Sequence, residues 1–200
     1  MAFVHFTEKD YTTSKWSGGT TTQIAILPRD ANYADRDFLW RISSATVDLE
    51  ESDFTPLPDY QRWISTRQGV LTLSQNGGTR IRLNPYEVFS FDGADSTHSW
   101  GSCTDFNLML RKGKTEGKLS VLKLSEDESF NFELIPKWRH TDFIVYCAEG
   151  SIEISQGENN IVIHPNESVL ATFQTPHCYR IHAAEQAVLY AATIHHCEAV

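Results

Sequence analysis

The chain repeats one strand–turn–strand pattern within its length. The first copy reads GVLTLSQ, a Gly-rich turn and IRLNPYEV over residues 69–88, and the second reads GSIEISQ, a shorter turn and IVIHPNES over residues 150–168. Apolar residues occupy the same alternate positions in both copies, which is the pattern of strands that bury one face. The sequence therefore predicts two lobes of one β-sheet design.

Strand patterns also dominate outside the repeat, and the clearest helical candidate is a short polar turn, Thr7 to Tyr11. The predicted strands are residues 21–27, 39–47, 61–66, 70–73, 80–83, 88–91, 105–111, 119–124, 131–134, 142–147, 152–154, 161–163, 169–173, 178–181 and 188–194. Many short antiparallel strands in two equivalent sets are typical of jelly rolls. We predict an all-β bicupin: two cupin-like, jelly-roll β-barrels related by internal duplication.

The lobe boundary is predicted from composition. Residues 112–118 form a polar stretch rich in Gly and Lys between the two repeats. Such stretches connect packed domains. We expect a first lobe with the ligand pocket over residues 1–112, a connector over 113–118 and a second lobe over 119–200, with the two lobes packed as one unit.

Charge and composition restrict the partners. The net charge of −9 at pH 7 argues against nucleic acid, since proteins that bind it usually present a basic stripe. No apolar run is long enough to span a bilayer, and the start lacks a basic region followed by an apolar one. The four cysteines show no CxxC spacing and are expected to be reduced. We expect a cytoplasmic protein without a nucleic-acid or membrane partner.

Two strands carry polar side chains at alternate positions. In residues 40–45, Arg41 and Ser43 share one face, and in residues 105–111, Asp105, Asn107 and Met109 share one face. If these faces point inward, the arginine fork suits a carboxylate and the amide can donate or accept hydrogen bonds. If they point outward, the same residues are merely solvated, and the pattern alone leaves both readings open.

The stretch Trp16 to Ile24 combines a tryptophan, two glycines and a run of hydroxyls before a strand. It lacks the GxxxxGK[ST] pattern of a phosphate-binding loop. We interpret it as a tight turn that covers a pocket, with a purely structural turn as the alternative.

These segments resemble the HutD/Ves family of bacterial bicupin proteins. The matching strings are WSGGTTTQI (16–24), WRISSA (40–45), the segment 54–62, FDG (91–93) and DFNLM (105–109), all in the predicted first lobe. The chain departs from the family at Ser17, where Asn is usual, and at residues 58–62, PDYQR, where the family has Pro-Gly-x-Asp-Arg. The resemblance implies a protein that binds or senses a small anionic metabolite, such as formate or a formylated amino acid, in histidine utilisation or in stress and cold response.

Strand alternation and the family strings together give the predicted site. Arg41 and Arg62 are predicted to neutralise the charge of the ligand, and Asp105 is predicted to hold an arginine in place. Gln23, Ser43 and Asn107 are predicted to orient the ligand. Phe91 and Met109 are predicted to form the apolar part of the wall.

The main alternative is a metal-dependent cupin enzyme, such as an isomerase, decarboxylase or dioxygenase. Such enzymes resemble one another in a His-x-His pair, which this sequence lacks, and the adjacent His195 and His196 would point to opposite faces of a strand. We therefore predict no metal, no cofactor and no catalytic residues. A stress-response interaction protein without a ligand is the third possibility, and the sequence does not give the oligomeric state.

Overall fold

The computed structural model of the chain describes residues 3–137 and 140–197. The chain divides into two compact units. The first unit is Tyr11–Thr115, and the second unit combines Met1–Asp10 with Glu116–Val200.

The first unit consists of two antiparallel sheets. The first strand of the chain, β1 (Val4–Phe6), belongs to the second unit. The strands of the first unit are β2 (Thr12–Trp16), β3 (Gly19–Leu27), β4 (Trp40–Val47), β5 (Glu51–Asp53), β6 (Tyr60–Gln68), β7 (Leu71–Gln75), β8 (Ile81–Leu83), β9 (Val88–Asp92), β10 (Thr97–Trp100) and β11 (Cys103–Arg111). One sheet has the order β2-β3-β4-β11-β6-β9 and the other has the order β5-β10-β7-β8. A 3₁₀ turn, Tyr33–Asp35, lies between β3 and β4.

The second unit also consists of two antiparallel sheets. Its remaining strands are β12 (Thr115–Leu124), β13 (Glu128–Leu134), β14 (His140–Glu149), β15 (Ile152–Gln156), β16 (Asn159–Ile163), β17 (Ser168–Phe173), β18 (His177–Ala183) and β19 (Ala187–His196). The sheet orders are β1-β17-β14-β19-β12 and β13-β18-β15-β16. The sequence prediction placed residues 1–112 in the first lobe, whereas β1 pairs with β17 here.

The strand orders of the two units confirm the predicted duplication. The order β5-β10-β7-β8 recurs as β13-β18-β15-β16, and β4-β11-β6-β9 recurs as β12-β19-β14-β17. Buried side chains from both sheets of each unit form its core. The predicted all-β jelly-roll architecture is thus confirmed, although the strands of each unit form two separate sheets and do not close into one continuous barrel.

The remaining differences concern short elements. The predicted helical turn is a 3₁₀ turn, Glu8–Asp10. The sequence prediction missed four strands, namely β1, β2, β5 and β10. Over the residues that the structure describes, no helix is long and apolar enough to span a membrane.

Candidate functional site

Three neighbouring strands of the first unit bring the predicted polar residues together. Across the β4–β11 ladder, Arg41 lies opposite Met109 and Ser43 lies opposite Asn107. On the other side of β11, Met109 also lies opposite Arg62 of β6. Because directly opposed residues point to the same side of a sheet, these side chains share one face.

This face lines a cavity of about 380 Å³. Six of the eight predicted site residues line it, namely Arg41, Ser43, Arg62, Asp105, Asn107 and Met109. Ser14, Trp16 and Thr21 of the β2–β3 hairpin also line the cavity, together with Tyr33, Ala45, Val47 and the segment Ser52 to Thr55. The volume is within the range of small-molecule pockets.

Arg41 is held at the wall of this cavity by neutral groups. Its Nε donates to Gln23 Oε1 at 2.9 Å and its Nη1 donates to Ser43 Oγ at 3.0 Å. The guanidinium carbon lies 4.2 Å from the centroid of the Tyr33 ring. Only 5% of the residue is exposed, and this burial lowers the pKa of Arg41 to about 10.

Arg62 lies in a more apolar environment. Its guanidinium carbon is 5.2 Å from the centroid of Phe54 and 5.0 Å from that of Phe91, and its Nη1 donates to the Thr55 carbonyl at 3.2 Å. The Nε is buried and has no hydrogen-bond partner among the described residues. Burial lowers the pKa of Arg62. Among the described residues, no carboxylate oxygen lies within 4.0 Å of the nitrogens of either Arg41 or Arg62.

Asp105 does not hold an arginine, contrary to the role that the sequence analysis gave it. Its Oδ1 accepts from the Ala45 backbone amide at 2.8 Å and from Asn107 Nδ2 at 2.7 Å. Burial raises the pKa of Asp105 to about 6, and these two hydrogen bonds and both arginines oppose the rise. Arg41 is positioned by Gln23 and Ser43 instead.

Two predicted residues are not part of the cavity lining. Gln23 does not line the cavity but fixes the orientation of Arg41. Phe91 is buried in the core between the sheets, where it contacts Arg62. Sequence reasoning missed Tyr33, because it lies in an irregular segment with no strand period. Trp16 was not predicted as a site residue either, although it stands in the stretch that was interpreted as a pocket cover.

The duplication identifies equivalent positions in the second unit. The carbonyl of Thr66 in β6 accepts from the Tyr86 amide at 2.7 Å, and the carbonyl of Cys147 in β14 accepts from the Asn166 amide at 2.8 Å. Thr66 and Cys147 are therefore equivalent, and the ladder registers of β6–β11 and β14–β19 extend the comparison to the site.

Apolar side chains occupy the equivalent positions in the second unit. The residues at the places of Arg62, Asp105 and Asn107 are Phe143, Leu189 and Ala191. All three belong to the core cluster of the second unit. The polar site is thus a property of the first unit.

The histidines do not assemble a metal site in the described part of the chain, where no group of three or more His, Cys, Asp or Glu side chains could hold an ion. His195 Nδ1 lies 2.9 Å from Thr141 Oγ1, whereas His196 Nε2 lies 2.7 Å from Asp142 Oδ2. The two adjacent imidazoles therefore have separate partners.

Solved structures share this fold over nearly the whole chain. A conserved protein of unknown function, PA5104 from Pseudomonas aeruginosa PAO1, superposes with a TM-score of 0.85 at 23% identity, covering 98% of this chain and 100% of that one. HutD from Pseudomonas fluorescens SBW25, in a formate condition, gives 0.76 at 20% identity with 98% and 99% coverage. The bacterial pirin YhhW from Escherichia coli, in complex with nickel(II), gives 0.66 at 11% identity with 96% and 98% coverage.

These likenesses establish a cupin-type fold. No curated protein sequence matches the chain. The family model of HutD matches residues 8–191, which is most of the chain. The chain therefore belongs to the HutD family.

Proposed function

We propose that this protein binds a small anionic metabolite in the cavity of the first unit. The observation that carries the proposal is the pair of buried guanidiniums, Arg41 and Arg62, which line the cavity without a carboxylate partner among the described residues. A buried charge is costly unless it is paired and hydrogen-bonded. An anionic ligand would supply the missing partner.

The chemistry of the two arginines suits a carboxylate or another planar oxyanion. Arg41 uses its Nε and Nη1 within the protein, which leaves Nη2 for a ligand. Arg62 uses only Nη1, for the Thr55 carbonyl. A guanidinium binds a carboxylate through charge-assisted hydrogen bonds of defined geometry. Two such groups on one wall would fix both the position and the orientation of the anion.

The positive charge of the cavity is concentrated on its buried wall. The net charge of the whole chain is −9, and the cavity lining holds two guanidiniums, Arg41 and Arg62, and two carboxylates, Asp53 and Asp105. Asp53 is exposed and lies 2.7 Å from His98 Nδ1, so the two arginines and Asp105 are the charged groups of the buried wall. Membership of the HutD family further supports a cytoplasmic role as a binding or sensing protein, in histidine utilisation or a stress response.

A thermal-melt screen against small carboxylates tests the proposal. The panel contains formate, glutarate, glutamate, formylglutamate and urocanate. A ligand at 100 times its Kd should stabilise the protein by about 2.7 kcal/mol, which raises the Tm by about 5 to 10 °C if the whole chain unfolds in one transition. The shift should disappear in Arg41→Ala.

Arg82→Ala is the matched control, because Arg82 is an exposed arginine of β8 that does not line the cavity. This variant should keep the full shift. A shift that survives in Arg41→Ala, or no shift with any acid, would contradict anion binding in the cavity. In the second case, metal analysis of the untagged protein would test the alternative of a metal-dependent enzyme.

A further inference from the structure

We propose that the ligand carries a hydrogen-bond donor beside its anionic group, and that Asp105 is the residue that selects for it. The inference rests on the proposed function and names the class of ligand: carboxylic acids with a hydroxyl, ammonium or amide N–H close to the carboxylate.

The first step concerns the two oxygens of the Asp105 carboxylate. Oδ1 accepts two hydrogen bonds, from the Ala45 amide and from Asn107 Nδ2. Oδ2 accepts none from the described residues, and it is not among the side-chain atoms that are sealed from solvent without a partner. Since Asp105 lines the cavity, Oδ2 is open to a ligand there.

The second step is that no neighbouring group in the described part of the chain donates a hydrogen bond to Oδ2. Arg41 donates to Gln23 and Ser43, and Arg62 donates to Thr55, although both guanidiniums are near enough to lower the pKa of Asp105. A carboxylate that is this deeply buried is stabilised by each further donor that it gains.

The third step concerns Asn107, whose amide nitrogen positions Asp105. An ionised carboxylate only accepts hydrogen bonds, so Asn107 must turn its Nδ2 toward Asp105. Its Oδ1 is then a second acceptor, which is buried and has no hydrogen-bond partner among the described residues. The cavity floor therefore presents donors from the arginines and acceptors from Asp105 and Asn107, and of these acceptors Asp105 Oδ2 is the one that is not sealed from solvent.

Ligands without a donor fit this floor poorly. A plain carboxylate would pair with the guanidiniums, but it would place a second anion near Asp105 Oδ2 and leave that oxygen without a partner. A hydroxy, amino or acylamino acid satisfies both sets of groups. Because hydrogen bonds to charged groups contribute about 1.5–3 kcal/mol, we expect the donor to improve affinity roughly 10- to 100-fold.

Calorimetric titration with matched acids tests this inference. Glutarate, 2-hydroxyglutarate, glutamate and N-acetylglutamate share one carbon skeleton and differ in the group at carbon 2. The wild-type protein should bind at least one of the three substituted acids 10-fold or more tightly than glutarate. Arg41→Ala should weaken all four.

Asp105→Asn provides the sharpest variant. The new amide would accept from Ala45 and Asn107 through its oxygen and turn its own Nδ2 toward the cavity, so the preference for donor-bearing acids should vanish or reverse. If this variant fails to fold, the pH dependence of the wild type gives the same information. Burial raises the pKa of Asp105 to about 6, so the preference should grow between pH 5 and pH 7.5 as the carboxylate ionises.

The outcomes separate the two proposals. Equal binding of glutarate and all substituted acids by the wild type would overturn the inference and leave anion binding intact. A donor preference that persists unchanged in folded Asp105→Asn would also overturn it. Absence of binding by every acid would overturn the proposed function together with the inference.

Discussion

At the scale of single residues, Arg62 shows how the site departs from ordinary core packing. Its guanidinium lies between the rings of Phe54 and Phe91, with one hydrogen bond to a carbonyl and a buried Nε without a partner. An apolar residue would suit this place better in a protein selected only for stability. The arrangement fits the proposed role of Arg62 in binding an anion, with a cost in stability.

Replacing Arg62 with methionine should therefore separate stability from function. Arg62→Met keeps a long side chain between the two aromatic rings and removes the buried charge. We expect the free energy of unfolding of the ligand-free protein to stay equal or to rise by on the order of 1 kcal/mol, while ligand binding is lost. Urea denaturation and calorimetric titration measure the two effects.

The control for this change is Arg82→Met on the exposed side of β8, which should leave binding unchanged. A structural role for Arg62 would give the opposite result: a loss of more than about 2 kcal/mol with binding retained in the protein that remains folded.

The period of two was enough to predict that Arg41 and Ser43 share a face of one strand and that Asp105 and Asn107 share a face of another. It could not predict their partners, because these depend on the ladder register. Asp105 lies opposite Ala45, four residues along β4 from Arg41, which is about 13 Å of strand. It therefore accepts from the Ala45 amide and from Asn107 Nδ2, and the pairing with an arginine that was expected from strand alternation and the family strings does not form.

At the scale of elements, each repeated hairpin begins with a glycine that the backbone conformation and the nearby backbone atoms require. Gly69 has φ of 77° and Gly150 has φ of 69°. A Cβ at Gly69 would lie 2.5 Å from the Ser102 carbonyl oxygen, and one at Gly150 would lie 2.3 Å from the Gln186 carbonyl oxygen. The glycine recurs in both copies because the turn into the hairpin packs against backbone in both units.

Alanine at either position should be strongly destabilising. Gly69→Ala and Gly150→Ala combine a left-handed backbone with a clash against a carbonyl oxygen, and we expect each to cost roughly 3–5 kcal/mol. Gly77→Ala is the matched control: its φ is 70°, but no atom lies within 4 Å of the added Cβ. It should cost only about 1 kcal/mol.

Urea denaturation of the three variants gives the comparison. Similar losses in all three would show that backbone conformation alone requires the glycines and that the carbonyl contacts relax without cost.

Three of the four strands that sequence analysis missed lack an alternation of apolar and polar residues, and the fourth, β1, has only three residues. In β10, the alternate buried residues are the polar Thr97 and Ser99. All residues of β2 are exposed, and so are the two end residues of the three in β5. Such strands show no alternation of apolar and polar residues, so period analysis cannot detect them. This omission affects the site, because Ser14 and Trp16 of β2 line the cavity.

At the scale of the whole molecule, the duplication preserved the framework and changed the interior. The sheet orders of β4–β11 in the first unit correspond to those of β12–β19 in the second, but Phe143 stands at the position of Arg62. The repeat that is visible in the sequence covers β7–β8 and β15–β16, which are outside the site strands. The sequence could therefore predict two equivalent lobes, whereas the difference between their interiors required the ladder registers.

The N-terminal segment contributes to the second unit, and its removal should test how far the two units depend on each other. Val4 to Phe6 pair with Leu170 to Ser168 in β17, His5 Nε2 lies 3.1 Å from Glu167 Oε2, and Glu8 Oε1 accepts from Asn166 Nδ2 at 2.8 Å. Phe3 also packs against the core of the second unit.

Deleting residues 1–10 should destabilise the second unit by on the order of 2 kcal/mol, through the loss of one edge strand and its side-chain contacts. In hydrogen exchange followed by mass spectrometry, the amides of β17 should then exchange roughly 10-fold faster or more, since each 1.4 kcal/mol changes the opening equilibrium about tenfold. The exchange of the β4 and β11 amides and the affinity for the anionic ligand should stay as in the full chain.

Lys9→Ala, in the exposed 3₁₀ turn, is the control, and it should change neither the exchange of β17 nor the ligand affinity. Faster exchange in β4 and β11, or weakened ligand binding, would instead mean that the first unit needs the N-terminal segment to maintain its cavity.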